Sequence, residues 1–142
     1  MGGGFGIRYT EEDDPLPFGK YMEVVSAALK NACQKFDMPL PFVIIEPGRS
    51  IVATSGITLY TIGNIKKIKD IRTYVAVDGG MTDNIRFALY GSKYDFVVAN
   101  KADKKKDTVV TVAGRCCESG DLLGKDVPLQ QCEAGDILAR CV

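Results

Sequence analysis

Histidine occurs nowhere in the 142 residues. Its absence excludes a self-contained Ser-His or Cys-His nucleophile and any His-ligated metal within this chain. Chemistry therefore falls to Cys, Lys, Arg, Tyr and the carboxylates, or to a cofactor. An excess of one charge is missing too: 18 Lys and Arg balance 18 Asp and Glu, a formal net charge of zero. Composition thus gives no footprint of nucleic-acid binding. The one lysine-rich stretch, residues 101–107, carries Asp103 and Asp107 and lies between apolar runs, so it reads as a solvated turn. No apolar stretch approaches the ~20 residues that span a bilayer, and no basic segment followed by an apolar run suggests export. The five cysteines are an odd count without CxxC spacing. That argues against a disulfide framework or a zinc site, and for reduced thiols in the cytoplasm.

What is present is an ordinary globular composition, 46% hydrophobic and 25% charged. Residues 21–36 carry the clearest periodicity. Tyr21, Val24, Val25, Ala28, Leu29, Ala32, Cys33 and Phe36 follow the spacing of one buried helical face. Pro15 and Pro17 precede this segment and Pro39 and Pro41 follow it, which marks its limits. Residues 42–45 (FVII) then read as a short strand buried on both faces, as in α/β folds. Beyond residue 50 the pattern becomes β. Residues 51–52, 57–62, 74–77, 96–99, 109–112 and 137–142 are apolar, mostly β-branched runs separated by Gly, Asp and Asn turns. A short helical turn is expected within 82–90. The expected organisation is an α/β segment, residues 1–49, followed by an all-β lobe, residues 50–142.

Four stretches could carry chemistry. Gly2, Gly3 and Gly4, with Gly6, are either a flexible leader or a loop whose amides cradle a phosphate. The pattern is neither GxGxxG nor a P-loop. Glu46-Pro47-Gly48-Arg49 follows the expected α/β strand, at the edge where such folds collect their sites. It is a turn with a surface ion pair, or a device that holds a cationic ring nitrogen and an anion. Arg86 and Tyr90, four residues apart, share one face of a helical turn and could grip one ligand, or pack and solvate separately. Cys116, Cys117 and Glu118 follow a strand; a cysteine beside a carboxylate suits proton donation and cation binding, and inert thiols are the plainer alternative.

Together and in this order, the stretches GGGFGIRY, EPGRSIVATSG, VDGGMTDNIRFALY and CCESGDLLGKD resemble the C-terminal portion of the diaminopimelate decarboxylase family. Its members are fold-type III, pyridoxal-phosphate-dependent decarboxylases. The resemblance covers essentially the whole chain. It implies the tail of a (β/α)8 TIM barrel followed by a Greek-key β-domain, here incomplete at its C-terminus. It also implies decarboxylation of meso-2,6-diaminopimelate to L-lysine by the parent enzyme, a cytoplasmic homodimer with no nucleic-acid or membrane partner. By the same resemblance, Gly2, Gly3 and Gly4 bind the cofactor phosphate, and Glu46 of the Glu46–Pro47–Gly48–Arg49 turn pairs with the pyridine nitrogen. Arg49 meets the phosphate and the substrate, Arg86 and Tyr90 hold the distal carboxylate, and Glu118 holds the distal ammonium. Cys117 is the implied proton donor, and with Glu118 it reaches the neighbouring subunit's site.

Two departures bear on these expectations. Phe87 stands where the family usually has proline, which bears on the placement of Arg86. The family's Schiff-base lysine lies upstream of the matching stretches, and no lysine here sits in an equivalent motif, so this chain by itself is expected to be inactive. The same chemistry on ornithine, arginine or carboxynorspermidine is the nearest alternative; a non-catalytic association domain is another. The fragment is expected to associate, through its β-domain or through an exposed 42–45 strand.

Overall fold

A computed structural model describes residues 1–141. Val142, the last residue of the expected 137–142 strand, lies outside the described residues. The chain divides into two units, the first Met1–Ser55 and the second from Gly56 onward.

The first unit is built on helix α1, Phe18–Lys35. Pro17 stands at its N-cap, where a missing N–H costs nothing. At the other end Asp37 takes φ 50, and the Met38 amide donates to the Cys33 carbonyl at 2.9 Å. That is the Schellman closure, with aspartate at the left-handed position usually given to glycine. The Phe5 ring packs edge-on against Phe18 and Tyr21, at centroid distances of 4.8 and 5.6 Å, and fastens the N-terminal loop to the start of the helix.

Three expectations fail in this unit. The helix is where its periodicity puts it, but the apolar stripe is not a buried face: Cys33 alone is buried, while Val24 is 70% and Phe36 65% exposed. Among the described residues of the unit, no second layer covers it. Residues 42–45 form no strand, and Phe42 is 92% exposed. A strand needs a ladder, and the one backbone bond on this stretch runs from the Met1 amine to the Ile44 carbonyl at 2.9 Å. Ile51 and Val52 are helical rather than extended, in the short α2, Arg49–Val52, which a 3-10 turn, Ala53–Ser55, continues. The Ile51 amide closes this helix onto Gly48 O.

The second unit is one mixed sheet of six strands: β1 Thr58–Ile68, β2 Arg72–Val77, β3 Asp95–Val98, β4 Lys106–Ala113, β5 Leu122–Gln130 and β6 Ile137–Cys141. Their order is β3-β6-β1-β2-β4-β5, antiparallel throughout except for the parallel pair β2–β4. The two edges turn toward each other. The Val98 amide of β3 donates to the Gln130 side-chain oxygen of β5 at 3.0 Å, and a Cβ at Gly124 would lie 2.9 Å from the Phe96 ring. The sheet is therefore a nearly closed barrel, which protects its edges. Inward alternation fills it with Ile62, Val75, Phe96, Val98, Val112, Leu123, Leu129 and Leu138, each no more than 1% exposed.

Sequence reasoning missed β5, and Lys101 alone departs from the solvated turn expected at 101–107, whose other residues are exposed. Gly124, Lys125, Asp126 and Pro128 interrupt the apolar alternation of β5, and proline is tolerated because this strand is an edge. Lys101 is half-buried and paired. Its ammonium meets the buried Asp136 carboxylate at 2.7 Å and Glu133 at 2.9 Å.

The helical turn within 82–90 is α3, Arg86–Tyr90, ended by Gly91 at φ 61. No helix among the described residues is long and apolar enough to cross a membrane.

Candidate functional site

The first unit brings the glycine loop against the Glu46–Arg49 turn. A Cβ on Gly3 would lie 2.4 Å from the Glu46 carbonyl oxygen, so only glycine fits there. Gly4 takes φ +86, a conformation that L side chains rarely adopt. Around Gly2 and Gly4 the space a side chain would enter is open. Such an exposed, closely apposed backbone suits a bound anion.

Glu46 is exposed, Pro47 half-buried, and Gly48 precedes the first turn of α2, which begins with Arg49. The Arg49 guanidinium donates to the Tyr9 hydroxyl and lies 5.9 Å from that ring's centroid. Asp13 fixes the Tyr9 segment by accepting the amides of Tyr9 and Thr10 at 3.0 and 2.9 Å. Tyr9 was not among the residues the sequence singled out; its place in GGGFGIRY was the available signal.

In the second unit the other candidates sit on two neighbouring loops. One leads from β2 into α3, the helix that carries Arg86 and Tyr90. The Arg86 guanidinium lies 5.0 Å from the Tyr90 ring centroid, so the pair does share a face. Tyr90 is exposed. The Arg86 Nε and Asn84 Nδ2 atoms are buried donors with no hydrogen-bond partner among the described residues. Buried donors without acceptors carry a desolvation cost, which an incoming anion would relieve.

The other loop, residues 114–121, carries the thiols. It bends rather than runs extended, yet Cys116 is half-buried and Cys117 exposed, so one thiol is presented outward. Burial, together with the adjacent Asp121 carboxylate, pushes the Cys116 thiol up from its ordinary range. The Gly120 amide and the Ser119 hydroxyl donate to Glu118 Oε1 at 3.0 and 3.2 Å. These bonds hold its carboxyl below the usual range, so Glu118 stays anionic, with Oε2 left for a cation.

Residues that the sequence had not singled out hold these loops. Asp83 accepts the Gly80 amide at 3.0 Å and the Tyr60 hydroxyl at 2.9 Å. Burial, reinforced by that bond to Asp83, pushes Tyr60 up to about 12. Asp121 accepts the Met81 and Cys116 amides. The repeated glycine in VDGG and the Gly120-Asp121 pair were the available signals. No group of three or more Cys, Asp or Glu side chains among the described residues is placed to hold a metal ion.

Comparison with known proteins gives this geometry a context. Residues 20–141 match the pyridoxal-dependent decarboxylase C-terminal sheet domain. A diaminopimelate decarboxylase of Bacillus methanolicus is 53% identical over 139 residues, 98% of this chain and 32% of that protein. A crystal structure of diaminopimelate decarboxylase from M. jannaschii matches 99% of this chain and 31% of its own, with TM-score 0.84 at 33% identity. One from Helicobacter pylori, complexed with L-lysine, matches with TM-score 0.77 at 34% identity, over 99% of this chain and 32% of its own. The chain thus spans roughly a third of the length of the curated relatives it matches.

Proposed function

Since the chain belongs to the pyridoxal-dependent decarboxylases through their C-terminal sheet domain, we propose that it is the C-terminal part of an enzyme converting meso-2,6-diaminopimelate to L-lysine and CO2. The names of its relatives, and the lysine held by the H. pylori protein, support that substrate and that product. The enzyme works in lysine biosynthesis, in the cytoplasm, as a homodimer. Residues 1–49 are the last piece of its barrel and the remainder its β-domain.

The residues present fit pyridoxal phosphate. The backbone at Gly2 and Gly4, open where a side chain would enter, suits a phosphate. Arg49, on the turn that Gly3 packs against, supplies a guanidinium for a further charge-assisted bond. Bound pyridoxal phosphate supplies the electron sink for the pair left on carbon when CO2 departs. Glu46 would pair with the ring nitrogen and keep it protonated, which strengthens that sink. Arg86 and Tyr90 take the distal carboxylate of the substrate, and the Glu118 carboxylate takes its distal ammonium. Cys117 Sγ gives a proton to the carbon that has lost CO2.

One observation carries the reading. The chain carries both a guanidinium–phenol pair, Arg86 with Tyr90, and a hydrogen-bonded anion, Glu118, beside an exposed thiol. These are the complementary charges of a second amino-acid head, and in the proposed dimer one copy's pair faces the other copy's anion and thiol. A simple diamine tail would use the anion and leave Arg86 without a partner. Full-length protein supplied with pyridoxal phosphate should release CO2 from meso-diaminopimelate far faster than from L-ornithine. Cys117→Ala should lower kcat by about 10²-fold or more, with little change in KM. Equal turnover of ornithine, or an unaffected Cys117→Ala enzyme, would overturn the proposal.

A further inference from the structure

Asp121 is only 2% exposed and forms no ion pair with Lys or Arg among the described residues. A buried carboxylate without a cation is costly unless hydrogen bonds replace its water. Here they come from two separate stretches of chain. Oδ1 accepts the Met81 amide at 2.6 Å, and Oδ2 accepts the Cys116 amide at 2.7 Å. Glycine is required on both sides: a Cβ on Gly80 would lie 2.7 Å from each carboxylate oxygen, and one on Gly114 2.3 and 2.4 Å away.

Each anchored amide is close to a residue of the proposed site. The Gly80 carbonyl, one residue before Met81, accepts the Asp83 and Asn84 amides at 3.1 and 3.0 Å and starts the turn that delivers Arg86. Cys116 directly precedes Cys117, and its carbonyl accepts the Glu118 amide at 2.8 Å. The main chain of Asp121 joins the same knot, accepting the Gly114 amide at 2.8 Å and donating to the Glu118 carbonyl at 3.0 Å. The Arg115 amide meets the Gly79 carbonyl at 3.0 Å as the one direct backbone bond between the loops.

We infer that Asp121 is a positioning residue: its two carboxylate oxygens lock the Cys117–Glu118 loop to the loop leading into Arg86, and so aim the thiol, the anion and the guanidinium. The inference rests on the function proposed above. In the proposed dimer the two loops serve different sites, so the lock also fixes the spacing between one site and the next. Asparagine is the informative replacement. It keeps the volume but offers one acceptor oxygen, so one amide bond is kept and the other becomes an N–H facing an NH2 group.

The test compares Asp121→Asn and Asp121→Ala in the full-length protein by amide hydrogen exchange and kinetics. Asp121→Ala should speed exchange in peptides covering both 79–84 and 114–119 by about tenfold or more, and Asp121→Asn in one of them, while β4 and β6 keep their protection. With the fold retained, kcat should drop by about tenfold or more in both variants as the Cys117 thiol loses its aim, and KM should rise as Glu118 and Arg86 lose theirs. Exchange unchanged in both loops of Asp121→Ala, or raised equally across the whole sheet, would overturn the inference. So would a wild-type kcat in Asp121→Ala. Failure of the wild-type protein to act on meso-diaminopimelate would sink the functional reading instead, and the exchange comparison would still decide whether the lock exists.

Discussion

Tyr60 illustrates how much of this site is held by single polar side chains that no motif announces. Its ring is buried in the β-unit, and its hydroxyl donates to Asp83, the carboxylate that also receives the Gly80 amide. Burial first, and the Asp83 bond second, raise its pKa from 10.0 to about 12. A phenol whose folded pKa is raised contributes stability that is complete below its unfolded pKa and is lost as pH climbs through the folded one. The β-unit should therefore lose stability between about pH 10 and about pH 12. Urea unfolding across that range checks it. Tyr60→Phe should flatten this part of the profile and cost about 1 kcal/mol at neutral pH through the lost bond to Asp83. A Tyr60→Phe protein with the same alkaline decline as wild type would contradict the assignment.

Among the elements, what the sequence reveals depends on whether a residue pattern meets a partner. The α1 periodicity located the helix because 3.6-residue spacing and flanking prolines are local properties; burial of its stripe is not local, and within its unit Val24 and Phe36 stay exposed. The apolar run at 42–45 and the Ile51-Val52 pair have strand-like composition, but neither finds a ladder in this chain. β5 shows the converse. Gly124 and Pro128 spoil its alternation, yet it is a full strand because β4 supplies a partner and the edge position tolerates proline. The motifs located Arg86 and Tyr90 on a helical turn and Cys117 and Glu118 after a strand, while the supporting Asp83 and Asp121 became legible only through their bonds. Closure of the barrel depends on Gly124, where a Cβ would lie 2.7 Å from Val127 Cγ2 and 2.9 Å from the Phe96 ring. Gly124→Ala should destabilise the β-unit by about 1–3 kcal/mol, as overpacking does. Thermal or urea unfolding measures it; an unchanged midpoint would show that β3 and β5 do not pack as described.

For the whole molecule, the proposed dimer divides the labour between its two copies. In that proposed dimer, one chain would offer Arg86 and Tyr90 to its own site and Cys117 with Glu118 to its neighbour's. The most direct test mixes two full-length variants, Arg86→Ala and Cys117→Ala, each strongly impaired alone, and assays CO2 release from meso-diaminopimelate after subunit exchange. In a mixed dimer one site inherits both defects and the other inherits neither. With random pairing in a two-fold dimer, roughly a quarter of wild-type activity should return. Mixed dimers that are isolated intact and remain inactive would contradict the shared site.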